Sequence, residues 1–238
     1  MFGTDGIRGT AGAFPLDPDT VHAFGIALAR SLSGASVVIG MDTRASSPTI
    51  AAQVSGGLAA GGAAVRFAGV TTTPGVAFLA RSPEFAAGVM ISASHNPFPD
   101  NGLKVFGHSG YKLPDIEEHA IEERIFALLD AGVHAAPCPP PVDEGLDRLY
   151  VDDLLSTGRT PLSGLRVVLD CGNGAASALA PDLFRRAGAA VEAIHCSPDG
   201  SNINLDCGAL HVESLQRAVL GSAADLGVAF DGDADRAI

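Results

Sequence analysis

The chain reads as an α/β protein of two successive three-layer domains, each built on a mostly parallel mixed sheet. Three observations predict this. Short β-branched runs alternate with glycine-rich turns and helical stretches along the chain. Pro137, Pro139, Pro140 and Pro141 place four prolines in five positions, which precludes helix and marks a linker. The scheme then restarts in similar words. Val37-Val38-Ile39 leads through a helix to Gly62-Ala63-Ala64-Val65, and Val167-Val168-Leu169 leads through another to Gly188-Ala189-Ala190-Val191. Duplication or convergent βαβ wording produces such an echo. The expected domains are residues 1–136 and 146–238, joined by a Pro-rich linker at 137–145, with the second domain cut short at its carboxyl end.

Taken in order, Val37-Val38-Ile39-Gly40 is a buried strand that runs into Met41-Asp42-Thr43-Arg44. A helix follows from about Pro48 to Ala60, then a strand at Ala64–Phe67. Thr71-Thr72-Thr73-Pro74 opens a further helix to Ala80, with hydroxyls where a cap is wanted and proline in the first turn. Ala87–Ile91 is a continuous apolar run and reads as a buried strand, with Ser94 in the loop past its carboxyl end. Gly102–Phe106 is the next strand. Pro114–Asp130 is a helix, with Asp115, Glu117 and Glu118 in its first turn and Gly132 past its end. After the prolines come a short helix at Leu146–Thr157 and a strand at Leu165–Asp170. A turn at Cys171-Gly172-Asn173-Gly174 leads to a helix at Ala175–Ala187 and a strand at Val191–His195. A helix at Val212–Ala223 and a strand at Leu226–Phe230 complete the series.

Composition narrows the function. The chain has 238 residues, 47% of them hydrophobic and 18% charged, which suits a globular protein. Gly, Arg and Ser interrupt every apolar run, so no membrane span is expected. The start, Met1-Phe2-Gly3-Thr4-Asp5, lacks a basic segment followed by an apolar one, so no signal peptide is read and a cytoplasmic protein is expected. A net charge of −12 argues against nucleic acid and anionic membranes as partners. The cysteines, Cys138, Cys171, Cys196 and Cys207, form no Cys-x-x-Cys pair and are expected as thiols. His195-Cys196 and Cys207-x-x-x-His211 invite a zinc reading. It is disfavoured, because adjacent His and Cys rarely point at one tetrahedral centre.

Two segments carry the chemistry. Asp231-Gly232-Asp233-Ala234-Asp235-Arg236 puts carboxylates at alternate positions on a turn. An oxygen-only set of three carboxylates selects a hard cation such as Mg²⁺. A solvated acidic turn, an EF-hand loop and the Asp-x-Asp of an aspartyl-nucleophile phosphatase are rival readings. The EF-hand is set aside because Arg236 stands where its glycine belongs. The other segment, Ile91-Ser92-Ala93-Ser94-His95-Asn96-Pro97 with Asp100-Asn101-Gly102-Leu103-Lys104, offers a hydroxyl, an imidazole, an amide and an amine. A serine needs assistance to react. Once phosphorylated it is a phosphoryl donor, with cations to hold the charge. An ordinary polar turn before a proline is the plainer reading of the same residues. A Ser-His-Asp hydrolase fits poorly, since the Gly-x-Ser-x-Gly elbow is missing. Gly3-Thr4-Asp5-Gly6-Ile7-Arg8-Gly9 lacks the Gly-Lys-Ser/Thr ending of a P-loop. Arg44 after Asp42-Thr43 is read as a structural ion pair rather than a phosphate contact.

Four segments together, Phe2–Gly9, Asp42-Thr43-Arg44, Ser92–Phe106 and Asp231–Arg236, resemble the α-D-phosphohexomutases in order and spacing. Their wording is most similar to the bacterial phosphoglucosamine mutase branch; the phosphomannomutase/phosphoglucomutase branch is the alternative. The resemblance implies a phosphoserine at Ser94, with Mg²⁺ held by Ser94, Asp231, Asp233 and Asp235. It implies that Arg8, His95, Asn96, Lys104 and Arg236 hold phosphate and substrate, with Lys104 as the proton-transferring base. The implied partner is a phosphosugar, with glucosamine or glucose 1,6-bisphosphate as activator, and a homodimer is compatible with it. The implied reaction interconverts glucosamine 6-phosphate and glucosamine 1-phosphate through a bisphosphate, in the supply of cell-envelope precursors. The family has four domains, so a chain matching the first two is expected to be a metal-binding half with little or no turnover, or a non-catalytic metal- and phosphate-binding fragment. Ala234 stands where the family's loop has glycine, so this loop is expected to do without easy access to positive φ.

Overall fold

The apolar run Val37–Met41 forms β2, and its first four residues are buried. Ala87–Ile91 forms β4, buried throughout. A strand buried on both faces needs helices above and below it, and these two have them. The computed structural model describes residues 1–158 and 161–238. Its first sheet has the order β1-β5-β4-β2-β3, with β1 at Ile7–Thr10, β3 at Val65–Val70 and β5 at Asp100–Gly107. Strands β2, β3 and β4 are parallel, while β5 is antiparallel to both β4 and β1.

Side chains of β2 and β4 alternate between two apolar layers. Ile39 and Val89 pack with Phe24, Val54 and Ile125 from helices α1 (Pro18–Ser31), α2 (Ser47–Ala60) and α4 (Asp115–Asp130). On the other face Val38 and Met90 meet Leu79 and Val76 of α3 (Thr73–Ala80). Helix α5 (Glu144–Thr157) lies between the two sheets. Its Leu146 joins Val38 and Leu79, while Tyr150 and Val151 meet Leu179 of the second sheet's helix layer.

The second sheet is fully parallel, in the order β7-β6-β8, from β6 (Arg166–Asp170), β7 (Ala190–Ile194) and β8 (Leu226–Ala229). Helix α6 (Ala176–Arg186) packs on Val167 and Leu169, and α7 (Glu213–Ser222) packs on Val168 through Leu215. The expected α/β layering is therefore present in both halves. The Pro-rich stretch is free of helix from Pro137 to Asp143, with α5 beginning at Glu144; it passes α2, where the Cys138 N–H donates to Ala52 O at 2.8 Å, and then β3, where the Asp143 N–H donates to Phe67 O at 2.7 Å. Among the described residues no helix is long and apolar enough to cross a membrane.

The sequence reading named neither β1 nor α1. Helix α1 is buried from Thr20 to Ala29. Its start was nevertheless written in the chain: Asp17 caps the N–H of Thr20 at 3.1 Å, and Pro18 occupies the first turn. Glycine sets how closely α1 and α2 approach. A Cβ on Gly25 would stand 2.6 Å from Val54 O, and one on Gly57 only 2.1 Å from His22 O. Strand β5 starts at Asp100, two residues before the expected Gly102, because Thr10 of β1 pairs with Asp100.

Candidate active site

Asp42, one residue past β2, and Ser92, one residue past β4, begin the site. Asp42 is fully buried and accepts hydrogen bonds from Ser92 Oγ at 2.7 Å, Ser47 Oγ at 2.9 Å and the Arg44 N–H at 3.0 Å. Arg44 Nε donates to its Oδ2 at 2.8 Å. The other arms of the Arg44 guanidinium reach the loop carrying Ser94. Nη2 donates to Ser94 O and Asn96 O, both at 2.9 Å, and Nη1 to Pro97 O at 2.6 Å and Asp100 O at 3.0 Å. Arg44 is thus a structural clasp, as its ion pair with Asp42 suggested. It holds Ser94 in a left-handed backbone, φ 53°, of the kind concentrated at functional turns.

The second sheet delivers the acidic residues. Asp231 follows β8, and carboxylate oxygens of Asp231, Asp233 and Asp235 lie within 4.8 Å of one another. Ser94 Oγ donates to Asp231 Oδ2 at 2.6 Å, across the two sheets' domains. Arg236 Nη2 reaches Asp231 Oδ2 at 2.9 Å, Ser94 Oγ at 3.0 Å and His95 Nδ1 at 2.6 Å. Lys104, from the middle of β5, is 1% exposed. Its Nζ lies 2.8 Å from Asp233, 3.3 Å from Asp235 and 3.2 Å from Asp5. Arg8 of β1 pairs with Asp5 and sends Nη1 to Ala93 O and Asn96 Oδ1, both at 3.3 Å. All nine residues named from the sequence therefore meet at one place. A cleft of about 690 Å³ opens there, lined by Asp5, Arg8, Ser94, His95, Asp235 and Arg236 with the turn at Gly3–Gly6.

Charges around the cleft are tuned by burial and by one another. Burial works against the Asp231 carboxylate, yet the Ser94 hydroxyl and Arg236 hold its pKa below the ordinary range. Burial and the Asp233 charge push Asp235 up, despite Lys104. Burial opposes the Lys104 charge, but Asp233, Asp235 and Asp5 outweigh it and raise its pKa, so it is an ammonium. The acidic trio fits a hard cation: Asp233 Oδ1 is buried with no hydrogen-bond partner among the described residues, and a carboxylate oxygen left bare is a ready ligand.

Sequence reasoning missed several residues that position this site. Thr73, at the start of α3, donates Oγ1 to Asp233 Oδ2 at 2.5 Å and its N–H to Asp233 O at 2.9 Å. Asn204 donates Nδ2 to Ser94 O at 2.9 Å and to Asn96 O at 3.3 Å. Gly232 permits the close approach of the two loops, since a Cβ there would lie 2.5 Å from Ser94 O. The turn Cys171–Gly174 is a tight strand-to-helix turn, as read, but it also seats this loop: the Ala175 N–H donates to Gly232 O at 2.8 Å.

One expectation is corrected. Ala234 does adopt positive φ, at 54°, because its N–H closes a turn onto Asp231 O at 3.0 Å. A left-handed alanine is strained by about 1 kcal/mol. Ala234→Gly should therefore stabilise the chain by roughly 1 kcal/mol in urea denaturation, whereas a loss of stability would show that the loop relieves the strain in another way.

The whole chain is similar to known proteins. Residues 1–131 match the model of phosphoglucomutase/phosphomannomutase alpha/beta/alpha domain I, and residues 148–238 match that of domain II. A phosphoglucosamine mutase of Solibacter usitatus is 59% identical over 242 residues, covering all of this chain and 54% of the relative. One from Symbiobacterium thermophilum is 50% identical over 250 residues, covering all of this chain and 55% of the relative. The crystal structure of a phosphoglucomutase/phosphomannomutase family protein from Burkholderia thailandensis superposes with a TM-score of 0.83 at 28% identity, over 99% of this chain and 53% of that one. The chain spans about half the length of the curated relatives it matches. With domain models matched on both sides of the Pro-rich stretch, the chain belongs to the phosphoglucomutase/phosphomannomutase family.

Proposed function

We propose that the protein carrying this chain is a phosphoglucosamine mutase, interconverting glucosamine 6-phosphate and glucosamine 1-phosphate through a phosphoserine at Ser94. The observation that carries this reading is the 2.6 Å contact between Ser94 Oγ and Asp231 Oδ2, which unites a hydroxyl and an acidic trio from different domains. The amino-sugar branch is supported by the name of the relatives at 59% and 50% identity.

Asp231, Asp233, Asp235 and the Ser94 oxygen would hold Mg²⁺, which when bound neutralises phosphoryl charge. Arg236 and His95, already on Ser94 Oγ or beside it, hold the phosphoryl oxygens. In transfer, the bond from phosphorus to Ser94 Oγ breaks and one to a sugar hydroxyl oxygen forms. The hydroxyl proton must leave, and Lys104 would take it. Its raised pKa makes it a donor in the first instance. It becomes a base only once the carboxylates turn to other partners. Arg8 lines the cleft, Asn96 Oδ1 accepts from its guanidinium, and the two would bind the sugar phosphate. The bisphosphate then turns round and returns its other phosphoryl group to Ser94, which makes glucosamine or glucose 1,6-bisphosphate the activator. We also take residues 1–136 and 146–238 as the domains, the cytoplasm as the place of action, and a homodimer as compatible with the surface.

The test is a turnover assay of the protein carrying this chain, with Mg²⁺, on the 6-phosphates of glucosamine, glucose and mannose. A kcat/KM at least about tenfold higher for glucosamine 6-phosphate is expected, a difference of about 1.4 kcal/mol in transition-state binding. Preference for glucose or mannose would move the protein to the phosphomannomutase/phosphoglucomutase reading. Hydroxylamine-labile phosphate on Asp231 would instead indicate an aspartyl phosphatase.

A further inference from the structure

A second group of metal-ligating side chains lies behind the acidic loop, and the proposed mutase chemistry does not use it. A carboxylate oxygen of Asp170, an imidazole nitrogen of His195 and the thiol sulfur of Cys207 lie within 4.8 Å of one another. They come from three segments: the last residue of β6, the residue after β7, and the residue before the 3₁₀ turn Gly208–Leu210. Asp170 and Cys207 are buried, at 0% and 1% exposure. Of the four residues behind the zinc reading of the sequence, the grouping keeps His195 and Cys207 and joins them to Asp170, without Cys196 or His211.

An ordinary ion pair does not account for the trio. His195 Nδ1 lies 3.1 Å from Asp170 Oδ2 and is buried, yet among the described residues it makes no hydrogen bond. The distance is short enough, so direction is at fault: the nitrogen does not aim along a line to that oxygen. A buried ring nitrogen with no hydrogen-bond partner among the described residues is open to a cation. The dimensions agree. With ligand bonds of about 2.0–2.1 Å to oxygen and nitrogen, a tetrahedral zinc spaces those two atoms by about 3.3 Å. Its bond of about 2.3 Å to sulfur places the sulfur about 3.5 Å from either, so closure of little more than about 1 Å suffices. The carboxylate is also oriented from outside, with Oδ1 accepting the Gly172 N–H at 2.9 Å and Oδ2 the Gly208 N–H at 3.0 Å. His195 is held at φ 46°, a left-handed backbone that turns its ring back over β6.

We propose that Asp170, His195 and Cys207 form a structural site for a borderline-soft divalent cation of the zinc class, distinct from the hard-cation site at Asp231, Asp233 and Asp235. The donor set decides the class, since sulfur and nitrogen ligands select zinc over magnesium. Water on the half-exposed side of His195 completes the fourth position. On binding, the Cys207 thiol gives its proton to solvent and becomes a thiolate ligand. Without a cation the thiol is pushed up to about 12 by burial and by Asp170, so it is an inert nucleophile and redox catalysis is a poorer use of it. The cation would tie the excursion between His195 and Cys207 to β6. That excursion carries Asn204, whose amide grips the Ser94 loop.

The test is cadmium and zinc binding to the 238-residue chain in excess Mg²⁺, beside His195→Gln and Cys207→Ser. One equivalent of Cd²⁺ with a thiolate-to-metal charge-transfer band is expected. Zn²⁺ should displace it and Mg²⁺ should not, and each variant should bind at least tenfold more weakly. His195→Gln alters a partly exposed ring, so it decides the matter if Cys207→Ser fails to fold; circular dichroism reports the fold of each. Absence of the band, its persistence at full strength in His195→Gln, or its loss to Mg²⁺ would overturn the proposal.

Discussion

Ser94→Ala is expected to abolish mutase turnover, lowering kcat by at least about a thousandfold, and to eliminate the phosphate carried by the protein. Among the described residues no neighbouring hydroxyl is placed to substitute. Ser92 Oγ is committed to Asp42 at 2.7 Å, and Thr73 Oγ1 to Asp233 at 2.5 Å. The fold should survive, because Asp231 keeps its guanidinium partner at 2.9 Å and the loop is held through its backbone by Arg44 and Asn204. The check is steady-state kinetics beside peptide mapping of the phosphoprotein. Phosphate that persists on Ser94→Ala, at Asp231 or elsewhere, would place the nucleophile outside Ser94.

Arg44→Met should be the most destabilising single change in the first domain, by about 3–5 kcal/mol. The guanidinium is 1% exposed and every arm is used. Its removal leaves the Asp42 charge buried without a counter-ion and strips the Ser94, Asn96, Pro97 and Asp100 carbonyls of a shared donor. Burial already pushes the Asp42 pKa upward with Arg44 in place, so the charge is costly to keep. Asp42→Asn combined with Arg44→Met removes that charge and should recover part of the loss in urea denaturation. A loss under about 1 kcal/mol for the single variant would mean that the loop carries its own conformation without the clasp.

Legibility in the sequence followed physical rules that can be named. Continuous apolar runs such as Val37–Met41 and Ala87–Ile91 were plain, because strands covered on both faces contain little else. Helix α1 went unread although its start is written as Asp17-Pro18, a capping carboxylate followed by a first-turn proline. In the site, the residues legible in the sequence were those whose chemistry is unusual for a turn: a serine beside a histidine, three alternating carboxylates, a lysine within a strand. The positioning residues were not. Asn204 and Thr73 are ordinary loop and cap residues until folding sets them on Ser94 O and Asp233. Gly232 reads as loop flexibility, yet its use is the 2.5 Å clearance from Ser94 O that no side chain could share. Ala234 shows the reverse case, a family expectation about glycine that the turn geometry overrides.

The central claim is that one hard cation joins the hydroxyl of Ser94 to the carboxylates of Asp231, Asp233 and Asp235. Anomalous diffraction from crystals of the protein grown with Mn²⁺ in place of Mg²⁺ tests it most directly. A single peak is expected between the two loops, about 2.0–2.3 Å from the trio's oxygens and from Ser94 Oγ or a phosphoryl oxygen on it. A peak ligated by the carboxylates with the Ser94 oxygen several ångströms beyond reach, or no peak at this place at all, would contradict the account.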